Sequence, residues 1–243
     1  MIISHKYKFI FIKTSKTAGS SIEAALSNYC GKHDIIMPLT IGEERKKSNL
    51  GIPPAQNYMI PRHKYDIAEW RKFIKTKKRK KFGGHMSARI IKKLCQLYCP
   101  EDTWKNYFKF AFERHPLERV VSQYYFHNRK ESRPSISEYL AEKRYQNLHK
   151  LGCNLYTIND QIVIDRICFY ENLEAEMAFL ADRLGLPEVP VLPKFKTSTR
   201  SDRRSCKDLL TSAEITMLEK FFARELELLD YENCCLKSDY EIQ

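Results

Sequence analysis

The sequence predicts an α/β fold: a parallel β-sheet flanked by helices in a single domain over residues 1–243. Three observations lead there. Apolar runs rich in β-branched and aromatic residues recur at Tyr7–Ile12, Tyr107–Glu113 and Ile162–Tyr170, and each reads as a buried strand. Each is followed by a stretch whose apolar residues return at helical spacing, the alternation expected of βα units on a parallel sheet. Finally, 243 residues with 43% hydrophobic content can bury one substantial core, and no repeat or low-complexity linker divides them.

Taken in order, strand Tyr7–Ile12 runs through a loop into a helix over Ser21–Tyr29. From Gly31 to about His63, Pro38, Pro53, Pro54 and Pro61 interrupt a stretch with little periodicity, which reads as a long irregular segment. Asp66–Ile74 predicts a short helix, and Arg71–Lys81 then holds eight Lys or Arg in eleven residues. Ser87–Tyr98 carries Ile90, Ile91, Leu94 and Leu97 on a helical period. After strand Tyr107–Glu113, Pro116 suits the first turn of a helix over Leu117–Arg129, with Val120, Val121, Tyr124 and Tyr125 as its apolar face. Ser135 and Glu138 form a capping box. Strand Ile162–Tyr170 leads to a helix over Leu173–Leu184. Thr211 and Glu214 form a second box, opening a last helix with Ile215, Leu218, Phe221, Phe222, Leu226 and Leu229 as a long stripe.

The segment Lys13-Thr14-Ser15-Lys16-Thr17-Ala18-Gly19-Ser20-Ser21 joins the first strand to its helix. A strand, a small-residue loop and a helix N-terminus form a P-loop-like anion cradle, because backbone N–H groups and the helix dipole converge on one spot. Lys16 adds a positive charge, and the hydroxyls of Thr17, Ser20 and Ser21 add donors. This is not a Walker A loop, which places its lysine after the last glycine. Here Lys16 precedes Gly19. A second grip follows strand Tyr107–Glu113: Arg114 stands at the strand's end and Ser122 about two turns into the next helix. A forked guanidinium with a hydroxyl nearby suits a terminal phosphate. Two grips at two strand ends imply a ligand with phosphates at both ends.

Lys16-Thr17-Ala18-Gly19-Ser20-Ser21 resembles the 5′-phosphosulfate loop of sulfotransferases that use 3′-phosphoadenosine 5′-phosphosulfate (PAPS). Arg114-x-Pro116-x-x-Arg119-x-x-Ser122-x-Tyr124 resembles their 3′-phosphate element. Phe169-Tyr170-Glu171-Asn172-Leu173, the turn Leu184-Gly185-Leu186-Pro187 and the segment Leu226–Tyr231 match further parts of the pattern. The likeness is nearest to the carbohydrate sulfotransferases, the heparan sulfate 2-O- and chondroitin-type enzymes. It implies that PAPS is the donor, that 3′,5′-adenosine bisphosphate is the product, and that a hydroxyl-bearing acceptor, a glycan or sugar-containing metabolite, receives the sulfuryl group.

Sulfuryl transfer, by analogy with phosphoryl transfer, runs through an in-line, loosely bonded transition state in which positioning and charge stabilisation dominate. A sulfuryl group carries less charge than a phosphoryl group, so no metal is required. Lys16 is the candidate cation for the leaving oxygen. Among His33, His63, His85, His115, His127 and His149, the candidate base is His85. It follows Gly83-Gly84, precedes a helix, and lies in a Gly-His-Met-Ser segment that resembles the catalytic-histidine region of glycan 2-O-sulfotransferases. Histidine's ordinary pKa suits proton abstraction near neutrality. Arg119 reads either as a phosphate contact or as the partner of a carboxylate such as Glu113. A third nucleotide contact is expected from Phe195–Ser201, with Lys196 and Arg200 as its candidates; this segment departs from the Arg-Lys-Gly triplet of cytosolic sulfotransferases.

A net charge of +12 calls for an anionic partner, which a nucleotide and an acidic acceptor would supply. The basic run Lys75–Lys81 reads as a guide for an anionic glycan or as a solvated face. No apolar segment is long enough to span a membrane, and Met1–Lys13 is interrupted by Lys6 and Lys8 where a signal peptide would be apolar. With Met1 close to the first strand, the expectation is a cytoplasmic enzyme. The eight cysteines show no CxxC pair and no zinc spacing, which fits reduced, buried thiols. Two other readings stand beside the first: a P-loop kinase-like transferase, which lacks its G-K-[ST] order and a clear Walker B strand here, and a non-enzymatic polyanion-binding protein. No nucleic-acid motif is present.

Overall fold

The structure, a computed structural model, describes residues 1–128, 132–195, 202 and 204–231. Its centre is a five-stranded sheet in the order β3-β1-β2-β4-β7. Strands β1 (Ile2–Ser4) and β2 (Phe9–Ile12) pair antiparallel, with Ile3 opposite Ile10. Strand β3 (Ile35–Ile36) adds antiparallel to β1. Strand β4 (Phe108–Glu113) lies parallel to β2. A small hairpin of β5 (Thr157–Ile158) and β6 (Gln161–Ile162) stands apart, and β7 (Arg166–Phe169) closes the main sheet parallel to β4. The parallel core is therefore β2-β4-β7, and only β1 runs against it.

The apolar run of β2 has no polar alternation because both of its faces are covered. Successive side chains point to opposite faces. Phe9 and Phe11, with Phe110 and Phe112 of β4, pack on helix α1 (Gly19–Ser27) through Ile22 and Leu26. Ile10, Ile12 and Ala111 face the other way, onto a layer that includes Ile91 and Leu94. Chain order then gives α2 (Ile41–Asn49), α3 (Ile67–Thr76), α4 (Ala88–Tyr98), which carries Ile91 and Leu94, and the single turn α5 (Thr103–Asn106).

After β4 come α6 (Pro116–His127), α7 (Ile136–Ala141) and α8 (Asn147–Lys150). Helix α9 (Leu173–Leu184) follows β7 and joins α1 on the phenylalanine face through Met177, Leu180 and Leu184. The chain continues through α10 (Cys206–Leu209), α11 (Ser212–Phe221) and α12 (Ala223–Leu228). Val120, Val121 and Tyr124 of α6 meet Tyr139, Leu148, Leu218 and Phe222 in a separate cluster.

Three expectations are revised. The stretch from Gly31 to His63 contains β3 and α2 and so is not irregular throughout; Thr40 and Glu43 make a capping box at the start of α2. The segment Ile162–Tyr170 is divided, because Gln161–Ile162 turns back on Thr157–Ile158 and only Arg166–Phe169 joins the main sheet. The terminal apolar stripe bends at Phe222, which ends α11 and starts α12.

Register sets the edge on which function can be built. Ile12 lies opposite Ala111 in the β2–β4 pair, and Glu113 opposite Phe169 in the β4–β7 pair. The next residues, Lys13, Arg114 and Tyr170, therefore emerge together at the carboxyl edge of the parallel strands. In open α/β sheets ligands bind at that edge.

Candidate active site

The loop from Lys13 to Ala18 is held from beneath. Thr14 donates its hydroxyl to the Phe112 carbonyl at the end of β4. That spends the only Thr14 proton, so Thr17 must donate in the 2.9 Å contact between the two hydroxyls. Both threonines are buried. The Ser15 amide donates to Leu151 O at 2.9 Å. Lys16 and Ala18 both take left-handed backbone conformations, φ 67° and 56°, and the turn delivers the chain into α1.

No side chain caps α1. Ser21 N and Ile22 N donate to Ala18 O, at 2.9 and 3.1 Å, so the donors that this helix start could offer an anion are the Gly19 and Ser20 amides. Of the hydroxyls expected there, Ser20 accepts from Lys13 Nζ at 3.2 Å and Thr17 is committed to Thr14, whereas Ser21 is half-buried at the helix start. What Thr17 can offer an anion is its backbone N–H. Gly19 has a steric reason for its identity: a Cβ there would stand 2.9 Å from Lys13 Cγ and 3.2 Å from Cε.

Lys13 is a residue the sequence reasoning passed over. Its ammonium is buried and donates to Glu23 Oε2 at 2.8 Å. Glu23 was the available signal, since a carboxylate inside the apolar Ser-Ile-Glu-Ala-Ala-Leu run needs a buried cation.

Arg119 takes the carboxylate-partner role. Its Nη1 meets Glu113 Oε2 at 3.1 Å, with both side chains almost wholly buried. Its Nε donates to Ser15 O at 3.2 Å and its Nη2 to Leu148 O at 3.0 Å. One guanidinium thus ties the loop to the end of β4 and to α8. Gly152 makes the room, since a Cβ there would lie 2.5 Å from Arg119 Nη1. Burial pushes the Glu113 carboxyl up to about 7, against the pull of Arg119.

Arg114 lies beside this bolt and turns the other way. Its Nη2 pairs with Glu118 Oε2 at 2.8 Å, and its guanidinium stacks 4.5 Å from the centre of the Tyr170 ring. The other Glu118 oxygen accepts from the Cys206 amide at 2.8 Å. Glu118 and Ser122 are four apart on α6 and share a face, so Arg114, Glu118 and the half-buried Ser122 run along one ridge. His115 is structural. Its amide donates to Glu171 Oε1 at 2.8 Å, its ring meets Tyr231 edge-on at 5.1 Å, and burial lowers its pKa to about 4. Tyr231 donates to the other Glu171 oxygen at 3.2 Å. The Tyr-Glu-Asn segment and the C-terminal Tyr231 thus brace the residue beside Arg114.

The Lys16 ammonium reaches across to α6 and sits 3.9 Å from the centre of the Phe126 ring, one turn beyond Ser122. His85 comes from a distant part of the chain, yet its Nδ1 is 2.8 Å from Lys13 O at the head of the loop. A carbonyl only accepts, so Nδ1 carries the proton and, in the neutral ring, Nε2 is left as the base. Burial, joined by the charge of Lys13, holds the His85 pKa below its ordinary value. A Cβ on Gly83 would meet Met86 Cγ at 2.9 Å, so this glycine makes room for its own turn; Gly84 faces open space.

A model of the sulfotransferase family matches residues 1–232. The chain belongs to the sulfotransferase family. An uncharacterized protein of Archaeoglobus fulgidus is 34% identical over 86 residues, covering 34% of this chain and 72% of that protein. The family's activity is sulfuryl transfer, and its P-loop-like architecture agrees with the mixed sheet and its flanking helices.

In this sulfotransferase His85 meets the loop at Lys13 O, the Lys16 ammonium lies over Phe126 of α6, Gly19, Ser20 and Ser21 open α1, and Arg114 pairs with Glu118, one turn before Ser122 on α6. Lys196 and Arg200 lie outside the described residues, as do Cys234 and Cys235. Among the described residues Cys30, Cys95, Cys99, Cys153 and Cys168 form no disulfide with one another. His149, Cys153 and Glu225, which show no zinc spacing in sequence, come within 4.8 Å of one another; His149 Nδ1 and Glu225 Oε1 are 3.0 Å apart. Among the described residues no helix is long and apolar enough to cross a membrane.

Proposed function

We propose that this sulfotransferase moves the sulfuryl group of PAPS to a hydroxyl of a carbohydrate acceptor. The observation that carries the reading is the hydrogen bond from His85 to Lys13 O, which sets a histidine with a free Nε2 against the loop suited to the 5′-phosphosulfate. In the reaction the acceptor O–H proton passes to Nε2 as its oxygen bonds to sulfur. The bond from sulfur to the bridging oxygen breaks, and that oxygen keeps the electron pair as 3′,5′-adenosine bisphosphate leaves. Lys16 stabilises the charge growing on the leaving oxygen, and the first amides of α1 hold the 5′-phosphate. Arg114 and Ser122 hold the 3′-phosphate. No step calls for a metal ion. The carbohydrate class rests on the sequence resemblance, and the thiols of Cys30, Cys95, Cys99, Cys153 and Cys168, which form no disulfide with one another, suit a cytoplasmic setting.

Transfer of label from [35S]PAPS to a panel of oligosaccharides tests the reading. The wild-type chain should label at least one acceptor. His85→Ala should lower transfer about 100-fold or more, and Lys16→Ala should lower turnover more than it lowers affinity for 3′,5′-adenosine bisphosphate. Undiminished transfer by His85→Ala would remove the base from the mechanism.

A further inference from the structure

Helix α3 and the basic run after it stand outside this chemistry, and their surface is unusual. None of the ten residues of α3 is buried. Ile67, Trp70 and Ile74 are 73%, 39% and 63% exposed. At about 100° per residue these three fall within an arc of roughly 60° on the helix. On one side of that arc Phe73 turns towards the protein, against Tyr65 and beneath the Arg62 guanidinium. On the other side come Arg71, Lys75 and Lys72, all exposed. The helix thus presents an apolar strip edged by cations, with protein behind it.

The basic residues beyond the helix form an ordered ledge. Lys77 ends α3 in a left-handed conformation, φ 56°. The Lys80 amide donates to the Tyr65 hydroxyl at 2.7 Å, Ile60 N donates to Lys80 O at 3.0 Å, and Phe82 N to Tyr58 O at 2.9 Å. The Lys80 ammonium is paired with Glu69. Lys77, Lys78, Arg79 and Lys81 remain exposed along the ledge.

We propose that α3 and this ledge dock the protein onto an anionic lipid surface. A helix with an apolar strip, a tryptophan at its margin and cations along one edge lies in the plane of a membrane interface, its strip among the acyl chains and its lysines at the headgroups. Neither half suffices alone: the strip is short, and juxtaposed cations add attraction for acidic lipid charge by charge. An acidic polysaccharide would engage the cations, but two exposed isoleucines give it nothing. Docking in this way would hold Lys81, and four residues further on His85, close to the membrane.

Co-sedimentation with vesicles of phosphatidylcholine alone, or with phosphatidylglycerol added, tests this without reference to activity. Binding should require the anionic lipid and weaken as salt rises. Ile67→Ser/Ile74→Ser, two exposed positions whose change leaves folding intact, and Lys75→Gln/Lys78→Gln should each weaken it by about tenfold or more. In a Trp104→Phe background Trp70 is the only tryptophan, and its emission should shift to the blue on anionic vesicles. Equal sedimentation with and without phosphatidylglycerol, or none with either, would overturn the proposal. Heparin binding that survives the serine pair, with no vesicle binding, would assign the surface to polysaccharide instead. Self-association abolished by the same pair, with no vesicle binding, would assign it to a second copy of the chain.

Discussion

The imidazole of His85 donates its Nδ1 proton to the main-chain carbonyl of Lys13, 2.8 Å away. The bond joins two parts of the chain 72 residues apart. It orients the ring by backbone, so the Nε2 lone pair does not depend on a second side chain to hold the tautomer.

That arrangement predicts a pH profile. Burial lowers the His85 pKa from its ordinary 6.5, so the neutral base is the majority form at that pH. The midpoint of the acid limb of turnover should therefore lie below pH 6.5, as the ring is protonated. In His85→Ala the acid limb should vanish along with most of the rate. Steady-state kinetics across pH 5 to 8 provide the check, and a limb centred above 6.5 would contradict the assignment.

The buried Arg119 predicts a stability effect at a residue with no functional group. Gly152→Ala puts a methyl 2.5 Å from Arg119 Nη1 and 2.8 Å from Nη2, so the guanidinium must leave at least one of Glu113, Ser15 O and Leu148 O. Denaturant unfolding should show a loss of about 1–3 kcal/mol. Arg119→Ala should cost about 3–5 kcal/mol, because it strands the buried Glu113. Both should loosen the loop and weaken nucleotide binding. If Gly152→Ala unfolds like the wild type, Arg119 does not hold the loop as described.

Acid sensitivity should trace in part to His115. The folded chain holds this buried ring at a pKa of about 4, below the ordinary 6.5, so between those values the unfolded chain binds more protons. Stability should therefore fall as pH drops from 6.5 to 4, by about 1.4 kcal/mol per unit and up to roughly 3 kcal/mol in all. His115→Asn should flatten that part of the curve, as read from unfolding free energy against pH. A variant with the wild-type slope would place the sensitivity elsewhere.

What could be read in advance was what is local. Strand β2, its small-residue loop and the helix after it were visible because apolar run, glycine and helical spacing are adjacent in the chain. The same holds for Glu113, Arg114 and the proline that opens α6. Strand β3 was not visible: it is two residues long and exists through Ile2 and Ile3 across the sheet. Helix α2 was hidden because only Glu43 and Lys47 are buried in it, leaving no apolar stripe, although its capping box was there to find. At the site, the anion loop and His85 carry recognisable neighbours. Lys13, Gly152 and the internal bond of Thr17 do not, since each is decided by a partner that only folding brings near.

The most direct test of the account is which nucleotide the folded chain prefers. Thermal unfolding should be shifted upward by 3′,5′-adenosine bisphosphate without magnesium, with a stabilisation of about 2.7 kcal/mol at a hundredfold excess over Kd. Arg114→Ala should lose most of that shift and retain the smaller response to adenosine 5′-monophosphate, because the lost charge-assisted bonds belong to the 3′-phosphate. Stabilisation by Mg-ATP alone, or an Arg114→Ala variant that loses both responses equally, would contradict it.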